Sequence, residues 1–285
     1  MKYGFIQEHE AEYRVRVMCR VMRVSASGYY GWRKRKPSQQ AQGDAELLKD
    51  IRSIYEEGRR KYGSPKVWER LRQQGKRHSR KRVARLMKEA GLVGRKKKRS
   101  RGTTKANPRH QPSENLLNRE FTADGPNRKW LSDITQIDTD EGALYLAVTL
   151  DLYGRKAVGW AMDDNMEATL IRRSFEMAVE RRHPEPGLLH HSDRGSQFTD
   201  QGFRKDLREQ DAIQSMSRKA NCWDNAPMES FFAQLEIELL QERHFVTRAQ
   251  AKQEVFDYIE IYYNRVRIHS ANGYLSPVEY EAKVM

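Results

Sequence analysis

KWLSDITQIDTDEGALYLAVTLDLYGRKAVGWAM, residues 129–162, decides the architecture. KWLSDITQI (129–137) reads as a strand, and DTDEG (138–142) as a turn closed by Gly142. ALYLAVTLDLY (143–153) makes a second strand and RKAVGWAM (155–162) a third, joined through Tyr153 and Gly154. Connections this short imply an antiparallel meander. MEATLIRRSFEMAVERR (166–182) then has helical spacing and GLLHHSD (187–193) returns to strand, so this crossover predicts a parallel addition to the sheet. A helix over 202–210, a fifth strand at AIQSMS (212–217) and helices over 226–243 and 248–263 complete an α/β fold built on a mixed five-stranded sheet.

Upstream the composition changes. Residues 1–120 hold 33 Lys and Arg against 12 Asp and Glu, whereas residues 121–285 hold 20 against 27. A basic front half suits an acidic polymer, above all nucleic acid, and an acidic back half suits a site that gathers cations. Charged residues are 32% of the chain and the mean hydropathy is −0.92. No apolar run approaches the roughly 20 residues that span a bilayer. The N-terminal MKYGFIQEHEAEYR has no apolar signal core, so the chain is expected to be neither secreted nor targeted. Cys19 and Cys222 are 203 positions apart and form no zinc pattern, which fits a reducing cytoplasm.

The basic half reads as helices. HEAEYRVRVMCRVMR (9–23) precedes a short helix capped by Ser25 and closed by Pro37; the pair is either a helix-turn-helix or a two-helix brace. DAELLKDIRSIYEEGRRKYG (44–63) is one helix. SPKVWERLRQQG (64–75) follows with Ser64 as cap, and SRKRVARLMKEAG (79–91) is the third. The short turn between the last two is the arrangement that puts a recognition helix into a major groove, although solvated helices are often basic too. Lys66, Arg70, Arg80, Lys81, Arg82 and Arg85 are the candidate DNA contacts here, with Lys96, Lys97 and Lys98 in GRKKKRSRGTTKANPRHQP (94–112), a stretch expected to be a flexible phosphate-tracking linker. The expected divisions are 1–43, a helical segment; 44–92, a helix-turn-helix domain; 93–120, a basic linker; and 121–285, the α/β core.

Three acids stand where this α/β order brings them together if the first and fourth strands are neighbours. Asp133 is in the middle of an apolar strand, a costly place for a lone charge. Asp193 ends the fourth strand, and Glu229 lies in the first turn of a helix headed by Asn225 and Pro227. On that helix Met228, Phe231, Phe232, Leu235 and Leu239 cover an arc roughly 200–300° from Glu229, so Glu229 flanks the buried face. Close carboxylates resist joint ionisation, and Mg²⁺ relieves the repulsion because hard cations take carboxylate oxygens; Mn²⁺ has the same preference. Two such ions suit phosphodiester chemistry. Asp151, at the end of the second strand, is either a fourth carboxylate or a turn former. His190 and His191 read as packing or orienting groups, because Mg²⁺ prefers oxygen.

The 35 residues between Asp193 and Glu229, with WLSDIT, HSDRGSQF and DNAPMESFF around the acids, resemble the DDE transposase and retroviral-integrase superfamily. More narrowly, MCRVMRVSASGYYGW, KYGSPKVWERL, SENLLNREF, GPNRKWLSDIT, GALYLAVTLDLYGRKAVGW and YNRVRIHSANGYLSPVEYE resemble signatures of the second-frame (OrfB) product of IS-three insertion sequences, over most of the chain. The resemblance implies an RNase H-like catalytic core with the triad Asp133, Asp193 and Glu229. It implies Mg²⁺-dependent cleavage at element ends and joining of the freed 3′-hydroxyl to DNA. Gln197 and Asn225 match family motif positions as supporting or DNA-contacting residues. A homo-oligomer on DNA, a first-frame (OrfA) partner or its frameshift fusion, and the bacterial nucleoid as location are implied in the same way. Glu236 departs from the pattern, which commonly has Lys there; seven residues on, it is only about 20° from Glu229 around the helix. The rival readings are a non-catalytic DNA-binding regulator derived from a transposase and a nuclease without joining activity.

Overall fold

The computed structural model describes residues 2–95, 113–218 and 221–283. The chain divides into two compact units, Met1–Asp50 and Ile51–Met285. In the first, α1 (Lys2–Glu8), α2 (Val15–Val21) and α3 (Ala26–Arg33) close around Ile6, Met18, Cys19 and Tyr29. Ser25 caps α3 through Gly28 N (2.9 Å), and the preceding helix is shorter than its apolar spacing predicts. α4 (Gln39–Glu57) begins before the expected Asp44 and stops before Gly63. Arg59 and Arg60 both adopt left-handed backbone angles, which end the helix without a glycine in that conformation.

In the second unit α5 (Ser64–Gln73) and α6 (Arg80–Glu89) pack as a pair, burying Val67, Leu71, Val83, Leu86 and Met87. Gly63 rather than Ser64 occupies the cap of α5, with Pro65 in its first turn. Ser79 caps α6 by accepting from Arg82 N (3.2 Å). Lys96, Lys97 and Lys98 lie outside the described residues. Within the stretch read as linker, residues 113–119 are packed. Leu117 is buried, and the backbone nitrogens of Leu116 and Leu117 donate to Ser215 Oγ (2.9 and 3.2 Å).

The sheet comprises β1 (Lys129–Ile137), β2 (Leu144–Asp151), β3 (Lys156–Asp163), β4 (Leu189–Ser192) and β5 (Ile213–Met216), in spatial order β3-β2-β1-β4-β5. β1, β2 and β3 form the antiparallel meander; β4 and β5 add in parallel. α7 (Ala168–Arg182) and α8 (Gln201–Glu209) cover one face, packing Ile171, Phe175 and Phe203 on Trp130 and Val158. α9 (Ala226–Glu238) and α10 (Arg248–Phe256) cover the other, packing Met228, Phe231 and Val255 on Leu131, Leu146 and Val148. Both helices are shorter than expected: α9 gives way to a 3₁₀ turn at Leu240–Glu242, and α10 runs into a π-helical segment, Asp257–Tyr263. α11 (Pro277–Glu281) closes the chain behind a capping box at Ser276 and Glu279.

Two local devices set the spacing of these layers. Gly159 lets β3 approach α7, since a Cβ there would collide with the Ser174 carbonyl oxygen and come within 2.8 Å of Ala178 Cβ. The β2–β3 register shifts after Thr149, leaving Val158 unpaired as a bulge. Beside it, Asn264 supplies the hydrogen bonds of a missing strand: Ala157 N donates to its Oδ1 and its Nδ2 donates to Ala157 O, both at 3.0 Å.

Candidate active site

The parallel register of β1 and β4 builds the site. Leu131 pairs with His191 and Ser132 with Ser192, so Asp133 and Asp193 each stand one residue beyond a paired position. Neighbouring strands run roughly 4.8 Å apart, and alternation sends both carboxylates to one face. That face is the α9 side, because Leu131, two residues before Asp133, packs with Met228 and Phe231 of α9. Asn225, at the start of α9, donates from Nδ2 to Asp133 Oδ2 (3.0 Å), while Ile134 N donates to Asp133 Oδ1 (2.8 Å). Gly195 N donates to Asp193 Oδ1 (2.8 Å). A Cβ on Gly195 would sit 3.0 Å from that same oxygen and from Gln197 Oε1, so a larger residue there would press on the Asp193 carboxylate. Glu229 sits in the first turn of α9, exposed and with no hydrogen-bond partner among the described residues.

The electrostatics agree with this placement. Burial, then the Asp193 charge and then that of Glu229 hold the Asp133 carboxyl well above the usual range, against the Ile134 amide that lowers it. Burial likewise raises Asp193, against the Gly195 amide. Three acids therefore share one electrostatic neighbourhood. They do not close into a cage: among the described residues no group of three His, Cys, Asp or Glu side chains converges to hold a metal ion. The donor set nevertheless fits a hard divalent cation, being all oxygen with Glu229 unpartnered. Asn225 adds a buried Oδ1 that has no hydrogen-bond partner, an acceptor facing unfilled polar demand.

Below the carboxylates a polar chain crosses the sheet. His190 Nε2 meets Ser132 Oγ (2.8 Å), Ser132 meets Thr149 Oγ1 (2.9 Å), and Thr149 meets Ser174 Oγ (3.0 Å). His190 also packs against the rings of Phe175 and Phe203. His191 lies between Ser215 (2.8 Å) and Ser217 (3.2 Å). Burial pushes His190 down to about 3 and His191 to about 4, so both are neutral orienting groups at pH 7. Gln197 donates to Met166 O (2.9 Å), tying its turn to the loop before α7 rather than to either acid. Asp151 is placed elsewhere. It pairs with Trp130, three residues from Asp133 along β1, and accepts from Asn127 N (2.8 Å) and Tyr153 N (3.0 Å). Of the two roles open to it, the structure gives it the turn. Trp160 donates to Glu260 (2.8 Å) as an anchor, and Trp223 is exposed.

Asp224 was not legible as a site residue. Its buried carboxylate accepts from Arg218 Nε and N (2.9 Å each), Arg119 Nε (2.9 Å) and Asn115 Nδ2 (2.8 Å). These donors, Arg218 foremost, hold it well below the usual carboxylate range. The cluster fastens residues 113–119 to the turn that launches Asn225 and Glu229. The one sequence signal was that SENLLNREF and DNAPMESFF are both marked stretches, 105 positions apart at Arg119 and Asp224.

The candidate DNA contacts separate into two groups. On α6, Arg80 and Lys81 are exposed, Arg82 is half-buried, and exposed Arg85 pairs with Glu89 (3.0 Å). On α5 the side chains turn inward: Arg70 bridges Glu57 (2.9 Å) and Glu279 (3.3 Å), and Lys66 Nζ lies 4.8 Å above the Tyr62 ring. No helix among the described residues is long and apolar enough to cross a membrane.

Residues 123–222 and 229–285 each match an integrase core domain family, and residues 42–100 match an HTH-like domain. The chain is 39% identical over 285 residues to the transposase InsF for insertion sequence IS3A of Escherichia coli (strain K12), covering 99% of both chains. It is 43% identical over 250 residues to the transposase for insertion sequence element IS904 of Lactococcus lactis subsp. lactis (strain IL1403), covering 87% of this chain and 98% of that one. Among solved structures, a simian T-cell lymphotropic virus intasome chain aligns over 75% of this chain and 70% of its own, at 13% identity and a TM-score of 0.48.

Proposed function

The chain belongs to the family of IS3 insertion-sequence transposases, and on that premise we propose that it cuts DNA at the ends of its element and joins the freed 3′-hydroxyl to target DNA. The observation that supports this reading is the β1–β4 register, with Asp133 and Asp193 each one residue beyond a paired position and Glu229 close enough to raise the Asp133 carboxyl. Asp133, Asp193 and Glu229 are the residues that would hold Mg²⁺ or Mn²⁺, as one or two ions. A bound divalent ion supplies charge neutralisation at the scissile phosphate and a more acidic attacking water or hydroxyl. The chain's own part is positioning. Asn225 aims the Asp133 carboxylate, Gly195 N aims that of Asp193, and the Asp224 cluster fixes the launch of α9. In the first step water attacks phosphorus and the bond to the 3′-oxygen breaks, leaving a 3′-hydroxyl and a 5′-phosphate. In the second that hydroxyl attacks a target phosphodiester, whose own 3′-oxygen leaves and takes up a proton.

The α5–α6 pair and residues 44–92 around it serve as the DNA-binding domain, with α6 presenting Arg80, Lys81, Arg82 and Arg85 to the duplex. Assembly as a homo-oligomer on DNA, with the first-frame product as partner, belongs to the same reading. Asp133→Asn, Asp193→Asn and Glu229→Gln are each expected to abolish joining of a labelled element end in Mg²⁺ while leaving its binding intact. Substantial joining by any of the three refutes the assignment; nicking without joining in the wild type turns the reading to a nuclease.

A further inference from the structure

A cavity of about 600 Å³ is walled on one side by α9. Its walls carry Lys61, Lys66, Arg95, Arg155 and Arg267 against one acid, Glu238. Some of that charge is answered. Glu242, just outside, pairs with Lys61 and Arg95, and Glu238 accepts from Arg267 Nε (2.8 Å). Lys66 and Arg155 have no carboxylate partner among the described residues. Lys66 rests over the Tyr62 ring, and Arg155 donates to the Phe121 carbonyl (2.9 Å). His269 adds no further positive charge, because burial and Arg267 hold it well below its usual range. Burial, with Arg267 nearby, pushes the Lys66 amine down to about 8. Cations withdrawn from water without counter-charge are costly, and a cavity that collects two of them is built for an anion brought from outside.

The position of the cavity says which anion. Ser230 and Gln234 line it from α9, the helix whose Glu229 faces the carboxylates. The two sites share that helix, which with its side chains is about 10 Å across, so a strand held at the carboxylates passes close to the cavity. We propose that this cavity binds a backbone phosphate of the DNA strand flanking the bond that is cut, with Lys66 and Arg155 as its donors. The identity of that strand, though not the binding, rests on the function proposed above.

The test uses the full chain in EDTA, so that no catalysis enters, and a fluorescein-labelled 30-base-pair duplex. Lys66→Met with Arg155→Gln is expected to weaken binding about tenfold at 150 mM salt and to make the dependence of log K on log salt shallower by about 1, the value of one phosphate contact. The melting temperature of this double variant should equal or exceed that of the wild type, and Lys66→Arg with Arg155→Lys should restore the affinity. Unchanged affinity and salt slope overturn the proposal. So does a loss of affinity that accompanies a lowered melting temperature and is not restored by the charge-keeping pair. If 10 mM inorganic phosphate raises the melting temperature of the wild type but not of the double variant, while duplex binding is equal, the site takes free phosphate and the DNA assignment fails. Because EDTA removes the metal and no joining is read, a failure here bears on the cavity alone and leaves the cleavage reading to the joining assay above.

Discussion

Replacing Asp193 by Asn should make the metal-free protein more stable. Asp133 and Asp193 are one step beyond a paired position on adjacent parallel strands, so their charges are about 5 Å apart. At an effective dielectric near 20, two like charges at that distance repel by about 3 kcal/mol. Solvent at the half-exposed residues screens part of this, leaving roughly 1–3 kcal/mol. Asn keeps the oxygen that accepts from Gly195 N, so the turn itself should survive. For a unit of this size each kcal/mol moves the melting temperature by about 2–4 °C, so Asp193→Asn should melt roughly 2–12 °C above the wild type. Calorimetry in EDTA at pH 7.5 measures it. The sign with pH follows from the raised carboxyls of Asp133 and Asp193. Below the unfolded-state value both acids are protonated and cost nothing; the penalty develops as pH rises through their folded values. The gap between variant and wild type should therefore close on acidification. Millimolar Mg²⁺ should raise the wild-type melting temperature and move the variant's little. A variant that melts at or below the wild type in EDTA at pH 7.5 would sink the claim that these acids are held against mutual repulsion.

Two further outcomes can be checked. Gly159→Ala should destabilise the core by about 1–3 kcal/mol, read by urea denaturation, because the new methyl meets the Ser174 carbonyl and Ala178 on a packed helix. Glu236→Lys should strengthen duplex binding a few-fold and steepen its salt dependence by about 1, measured by fluorescence anisotropy, since half-buried Glu236 follows Glu229 on nearly the same line of α9; unchanged binding would show that position 236 does not meet DNA.

The strands were legible because their apolar runs are bounded by turn residues, and β1 matches its expected range, Lys129–Ile137, at both ends. Helix ends were less legible. Nothing in EEGRRKYG announces that Arg59 and Arg60 will turn left-handed, and nothing around Phe256 announces a π-helical continuation. The three acids stood out because a charge inside an apolar strand, or at a strand end before a glycine turn, asks for a reason. Their meeting depended on pairing β1 with β4, which no local pattern encodes. Asp224 was hidden because its partners Asn115 and Arg119 come from over a hundred residues upstream. The surroundings of Lys66 and Arg70 were not legible either. Basic residues on an amphipathic helix suggest a solvated surface, whereas here Lys66 lines a cavity and Arg70 is held by Glu57 and Glu279.

The β1–β4 register has a consequence for how such a chain can change in length. β4 is only four residues long, and Asp193 reaches its face of the sheet by parity alone. One residue gained or lost between Leu189 and Asp193 would invert every side chain after it, offering Ser192 or Arg194 where the acid belongs. Substitutions along β4 alter the site by degrees, but an insertion or deletion there removes it at a stroke. Descendants of this sequence can vary the hairpin turn at 138–142 in length far more freely than the few residues that carry each aspartate to the edge of the sheet.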